Sequence, residues 1–263
     1  MMNKDLYTHK LHITCEERLK SNLKFEKEAI AYYKEFDEKL KQADLLGKTL
    51  LVSEKQFAKV NQISSHICQL LDLKKPNIYV YEDFYYGCEA KGSDEPWIEI
   101  SAKTVTDFSE KELCFLIARE LCRIDNGSVY LDVWSDQLIN LCQNTDVIPG
   151  NDVMAKTLKL IYSQWSRVSH LSADNFGYLM ADDLKSCILC LLKLILNNVA
   201  LANEIDLSEY LNQAAQINRL DDAVARYTKN DEKIPYGPMR IKNLIAFASS
   251  EAVINHKMGG KSC

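Results

Sequence analysis

Hydrophobic positions fall at helical spacing along most of this chain and at strand spacing in one stretch only. In residues 16–46 the apolar positions Leu19, Leu23, Ile30, Tyr33 and Leu40 recur in a heavily charged background. They predict an amphipathic helix, broken once, laid over the main domain or over a partner. Ser53 and Gln56 have the spacing of a capping box and predict a helix through Leu71, stopped by Lys74-Lys75-Pro76. Residues 78–81 and 97–101 (WIEIS) read as short strands, and FYYGCEAKGSDEP between them has room for a third. A small antiparallel sheet of two or three strands is expected there. Ser109 and Glu112 form a second capping box, opening a helix that runs to Ile124 and ends at Asp125-Asn126-Gly127. Further helices are predicted over 131–143, 152–165, 168–182, 184–201, 207–217 and 238–254.

This pattern makes the fold class α+β, mainly α. With no internal repeat, the expected organisation is a helical lead-in over 1–50, a main domain over 51–256 and a flexible tail over 257–263. Scarce glycine and proline, 9 and 5 in 263 residues, agree with a helical design. The net charge of −5 removes the general attraction that nucleic acid or an acidic membrane surface requires, and lysine is interleaved with glutamate. The most apolar stretch, CILCLLKLIL at 187–196, is well short of the ~20 residues of a membrane span, and Lys193 interrupts it. Neither nucleic acid nor a membrane is therefore an expected partner. Nine cysteines without framework spacing, and a polar, charged 1–10 segment, fit reduced thiols and a cytoplasmic location.

Candidate chemistry centres on FLIARELCRIDNG, residues 115–127. Leu113, Ile117, Glu120 and Ile124 share one helical face, so Glu120 interrupts an apolar stripe. Arg119 and Arg123 stack on the adjoining edge. Buried charges are costly unless paired, so either acidic partners meet this helix or its edge opens to solvent. The segment WSRVSHLSADNFGYLMADD offers a partner: His170 and Asp174 lie one turn apart, and Ala173, Gly177 and Ala181 form a stripe permitting close backbone approach.

The order of these pieces resembles the HtpX and CAAX-prenyl-protease-like zinc metallopeptidases, specifically their soluble members, over roughly residues 45–255. The pieces are KKPNIYVYEDFYYGCEAKG, WIEIS, the helix with ARELCRI, the segment W-S-R-x-x-H-L-S-A-D-x-x-G, and a closing IPYGPMRIKNLIAFASS that matches a late segment at Pro238 and Arg240. The resemblance implies a zincin-like helical domain with a small sheet beside the active-site helix. In that family the helix reads His-Glu-x-x-His, two histidines binding zinc and the glutamate activating water. Here Arg119 and Arg123 replace both histidines, Glu120 is retained, and His170 stands at the position of a third, glutamate ligand. Arginine offers no lone pair to a metal. Zinc is expected to be absent and no other cofactor is implied. Arg119 and Arg123 would supply fixed positive charge between the two helices, with Glu120 and Asp174 as counter-charges and Arg240 behind them.

Two functional readings follow. In the first, the chain is a non-catalytic relative that binds a peptide or protein, an active peptidase among the candidates. In the resembling enzymes substrate lies extended beside an edge strand, and Tyr79, Tyr81, Tyr86 and Trp97 are the corresponding contact residues here. The family's Asn-Ala in this region stands as Gly87-Cys88. In the second, Glu120 and His170 carry an altered or residual hydrolase activity, although two flanking arginines would make Glu120 a poor base. Cys187-x-x-Cys190 reads as core thiols, and a Cys122–His170 nucleophile pair lacks visible oxyanion donors. His9 and His12 have no nameable partners in the sequence.

Overall fold

The charged lead-in folds as short pieces rather than one rod. The computed structural model describes residues 3–23, 27, 30, 31, 33–144, 151–217 and 232–259. Helices α1 (Lys4–Tyr7) and α2 (His12–Asn22) come first, and a π turn at Tyr33–Asp37 runs into α3 (Glu38–Lys48). Leu19, Leu23, Ile30 and Tyr33 are buried as their spacing predicts, whereas Leu40 is 68% exposed. The wider π turn shifts the helical phase after Tyr33, which moves Leu40 off the buried face.

The expected capping box at Ser53 does not form. Ser53 and Gln56 bridge each other, the Gln56 amide donates to the Leu51 carbonyl, and α4 (Ala58–Leu71) starts only after Phe57, at φ 57°. The local turn consumed the groups that would have capped a helix.

The sheet has four strands, β1 (Leu50–Leu51), β2 (Asn77–Tyr81), β3 (Cys88–Lys91) and β4 (Trp97–Ser101), in the order β1-β2-β4-β3. It is mixed rather than antiparallel: β3–β4 is the hairpin, and β2 runs parallel to β4 with Ile78 opposite Ile98. Gly92 turns that hairpin at φ +97°, where a Cβ would lie 2.6 Å from the Trp97 ring. Alternation decides the two faces. Ile78, Val80, Ala90, Ile98 and Ile100 join the main core with Leu113, Phe115 and Ile117. Tyr79 and Trp97 point the other way and pack on Leu45 of α3.

After α5 (Ala102–Asp107), helix α6 (Glu110–Asp125) opens with the predicted capping box: the Glu112 N–H donates to Ser109 Oγ, and the Ser109 N–H donates to Glu112 Oε2 at 2.6 Å. Helix α7 (Ser128–Asn144) follows. The helices predicted over 152–165 and 168–182 are one, α8 (Asn151–Ala181), because no glycine or proline separates them. The single helix predicted over 184–201 divides into α9 (Leu184–Leu196) and α10 (Val199–Glu204), with Asn197 at φ 50° between them. α11 (Leu207–Ile217), α12 (Gly237–Ala248) and α13 (Glu251–Gly259) complete the described elements. Residues 257–259 of the expected tail continue α13, and Lys257 is tied to the Tyr178 hydroxyl; 260–263 lie outside the described residues. Among the described residues no helix is long and apolar enough to cross a membrane.

The pairing that positions the site is α6 on α8. A Cβ at Gly177 would meet Phe115 O, Phe115 Cδ2 and Arg119 Cγ at 2.8 Å each, so the small-residue stripe does admit the neighbouring backbone. Leu19 and Leu23 pack with Leu131, Tyr162 and Trp165 in a second cluster, which holds the lead-in against α7 and α8.

Candidate functional site

Helix α6 enters the core with its three charges intact. Arg119, Glu120 and Arg123 are all buried, so the helix edge does not open to bulk solvent; acidic partners meet it instead. Arg119 Nε donates to Asp174 Oδ1, Nη1 to Glu120 Oε1 at 3.3 Å, and Nη2 contacts His170 Nδ1 at 3.3 Å. Arg123 Nη1 donates to Glu120 Oε2 at 2.8 Å and Nη2 to Asp132 Oδ2. Arg240, from α12, grips Asp174 with two bonds of 2.8 Å. Tyr162 donates to Asp132 Oδ1 at 2.9 Å, and the Ala90 N–H of β3 donates to Glu120 Oε2 at 3.0 Å. Three guanidinium groups thus interlock with three carboxylates, and one of those carboxylates also fastens the sheet.

Charge and burial set the protonation states. Burial alone would raise the Asp174 carboxyl, but Arg240 and Arg119 outweigh it and hold it below the ordinary carboxylate range. Burial pushes Asp132 up, against the pull of Arg123 and Tyr162. His170 is driven well below the usual imidazole range by burial and then by Arg123, Arg119 and Arg240, so it is neutral at pH 7. Because Arg119 can only donate, His170 Nδ1 must accept, and the ring proton sits on Nε2.

The residues present do not fit the zinc that the resemblance implies. Both arginines are engaged with carboxylates where metal ligands would need lone pairs, and His170 already accepts from Arg119. Among the described residues no group of three or more His, Cys, Asp or Glu side chains is arranged to hold a metal ion.

A cleft of about 590 Å³ lies over this lattice, lined by Arg119, Glu120, Arg123, His170 and Arg240 on its floor and by residues 86–92 along β3. Of the four aromatic residues expected to contact a peptide, Tyr81 and Tyr86 line this cleft. Tyr86 is mostly buried against Phe108 and donates to Asp107 at 2.6 Å. Tyr79 and Trp97 line a different cavity, under α3, and are buried there. Asp132 and Tyr162 were missed in the sequence; the one available signal was an acidic residue inside the apolar run Val129-Tyr130-Leu131-Asp132-Val133-Trp134.

The other chemical candidates resolve as structure. Cys122 is fully buried and burial holds its thiol protonated. Cys187 and Cys190 are core thiols, and the eight cysteines among the described residues are free. His12 does find partners: Nδ1 lies 2.9 Å from Ser172 Oγ and Nε2 3.5 Å from Glu16. This looks like a Ser-His-Glu relay, but Ser172 Oγ also receives the His9 N–H and donates to the Val168 carbonyl. It clips the lead-in to α8.

Over 180 residues the chain is 23% identical to the plastoglobule-localized metallopeptidase 48, chloroplastic, of Arabidopsis thaliana. The match covers 66% of this chain and 51% of that protein, so the chain spans about half the length of this curated relative. No family model matches the chain, and no solved structure matches it. The likeness supports a metallopeptidase-like relationship.

Proposed function

We propose that this chain is a metallopeptidase-like protein of the HtpX type in which an arginine–carboxylate lattice stands where zinc would sit, and that it acts by binding an extended peptide or protein segment in the cleft above that lattice. The observation that carries this reading is the engagement of both Arg119 and Arg123 with buried carboxylates. Hydrolysis by Glu120 and His170 is the weaker reading. Glu120 accepts from Arg119, Arg123 and Ala90, which leaves it committed to structure, and His170 Nδ1 is occupied.

The edge of β3 supports the binding mode. The Ala90 N–H goes to Glu120 rather than to Ile98, so Ala90 and Cys88 occupy the ladder positions whose backbone groups face away from β4. Glu120 holds the Ala90 donor, which leaves the Cys88 N–H and the two carbonyls for an added strand. Contact residues for such a segment are Tyr81 and Tyr86, with Tyr79 and Trp97 acting as the packed back of the sheet. Cys88→Pro removes the outward N–H without touching a ladder bond. Acetyl-(Thr-Val)3-amide should protect β3 amides from exchange in the wild type and fail to do so in the variant, whose unfolding midpoint stays nearly unchanged. Equal peptide binding by the variant, or no protection of β3 in the wild-type protein, would contradict the reading.

A further inference from the structure

We infer that the cleft floor is a carboxylate-binding subsite, in which His170 Nε2–H and Arg240 Nη1 take an acidic group of the bound peptide; this rests on the peptide-binding reading above. The lattice has spent its acceptors. Glu120 Oε1 receives Arg119, and Oε2 receives Arg123 and Ala90. Asp174 receives Arg119 on Oδ1 and Arg240 on both oxygens, and Asp132 receives Tyr162 and Arg123. What the floor still presents is donors.

His170 is 7% exposed and lines the cleft; its Nδ1 faces Arg119, and its protonated Nε2 has no hydrogen-bond partner among the described residues. Arg240 uses Nε and Nη2 on Asp174, and its Nη1 has no partner among the described residues at the same floor. Neither atom is sealed from solvent, so a ligand competes with water for these donors and gains most where its acceptor carries charge.

Charge narrows the choice of acceptor. The lining carries Lys41, Lys91, Lys233 and the three arginines against Glu89, Glu120, Asp132 and Asp136. Asp174 beneath the floor and Glu99, which binds Lys91 at 2.9 Å, offset that excess, so the surroundings are balanced and a phosphate dianion is over-charged for them. A single carboxylate is drawn by the two free donors rather than by net charge. A carboxylate also presents two acceptor atoms, one for each free donor.

The carboxylate has two possible sources, a peptide C-terminus or a glutamate side chain. Three probes separate them: acetyl-(Thr-Val)3-amide, the same peptide with a free C-terminal acid, and an amide whose last residue is glutamate. Calorimetric titration should give about tenfold tighter binding for one or both acids, from charge-assisted hydrogen bonds in a partly dry site. His170→Leu should bring the preferred acid level with the neutral peptide, and the 15N imidazole spectrum of the wild type should show the Nε2-protonated ring shifting on binding. If all three peptides bind equally, the subsite is wrong while the cleft reading stands. If none binds, both fall. A preference that persists in a folded His170→Leu protein, with no shift of the ring, overturns the assignment to His170.

Discussion

Helix α6 buries charge at both ends, and the two ends solve the problem differently. Near its N-terminus Lys193 reaches across from α9 and places its ammonium 2.8 Å from each oxygen of Glu112, over the ring of Phe108. One cation meets one anion, which also closes the capping box. Two to three turns on, three arginines meet three carboxylates from α6, α7, α8 and α12, under a cleft. Both ends are largely buried, Asp132 being the most exposed member at 19%, so burial of charge does not by itself separate them. The cleft over the second end does.

The largest expected effect lies in the lattice. Asp174→Ala strands Arg119 and Arg240 together and should destabilise the protein by about 3–5 kcal/mol, read by urea unfolding. A loss below ~1 kcal/mol would mean the arginines find water instead, and the two ends of α6 would no longer differ. At the other end, Lys193→Met alone should cost about 3 kcal/mol, because Glu112 is left buried. Combining it with Glu112→Gln should recover most of that loss. Arg123→Met combined with Glu120→Gln should not recover, since Asp132 loses Arg123 and Arg119 loses a carboxylate in the exchange. Equal recovery of both double variants would erase the distinction between pair and lattice.

Gly177→Ala probes how the lattice is held together. The added Cβ presses on Phe115 O and on the Arg119 stem, so a cost of roughly 1–3 kcal/mol is expected, with greater exchange of the Arg119 guanidinium protons in NMR spectra. Unchanged stability would show that α6 and α8 have room to separate. The smallest effect is in pH. The Asp174 carboxyl is held below its ordinary 3.8 by Arg240 and Arg119 against the opposing effect of burial. A lowered folded pKa contributes stability that is complete above the unfolded value and is lost as pH falls through the folded one. The stability gap between wild type and Asp174→Asn should therefore be full at pH 6 and close as pH drops below about 3.8. A gap that stays constant to low pH would separate the ionised carboxylate from the effect.

Much of this was legible in the sequence where signals are local. Ser109 and Glu112 announce the start of α6, Gly177 the close approach of α8, and the spacing of Arg119, Glu120 and Arg123 the need for buried partners. Asp174 was reached through its helical spacing from His170 as well as the family pattern, and Arg240 through the family pattern alone. Asp132 was not reached, because its partner Arg123 lies on a different helix and chain spacing carries no record of that crossing. The expectation that Tyr79 and Trp97 share a peptide-contact surface with Tyr81 and Tyr86 missed Leu45, which covers the first two on the other face of the sheet. The parallel pairing of β2 with β4 was equally hidden, since either orientation satisfies the same alternating pattern. The break at Asn197 depended on a left-handed backbone that asparagine tolerates but does not announce.

The central claim is that fixed arginines stand in place of a metal. The most direct test is the metal content of the purified, untagged protein by mass spectrometry, together with its unfolding temperature with and without a chelator. The account predicts less than ~0.1 zinc per chain and no chelator effect, because a protein folded around bound metal loses stability when the metal is removed. Stoichiometric zinc with a chelator-sensitive unfolding temperature would contradict it, and would return His170 and hydrolysis to the centre of the question.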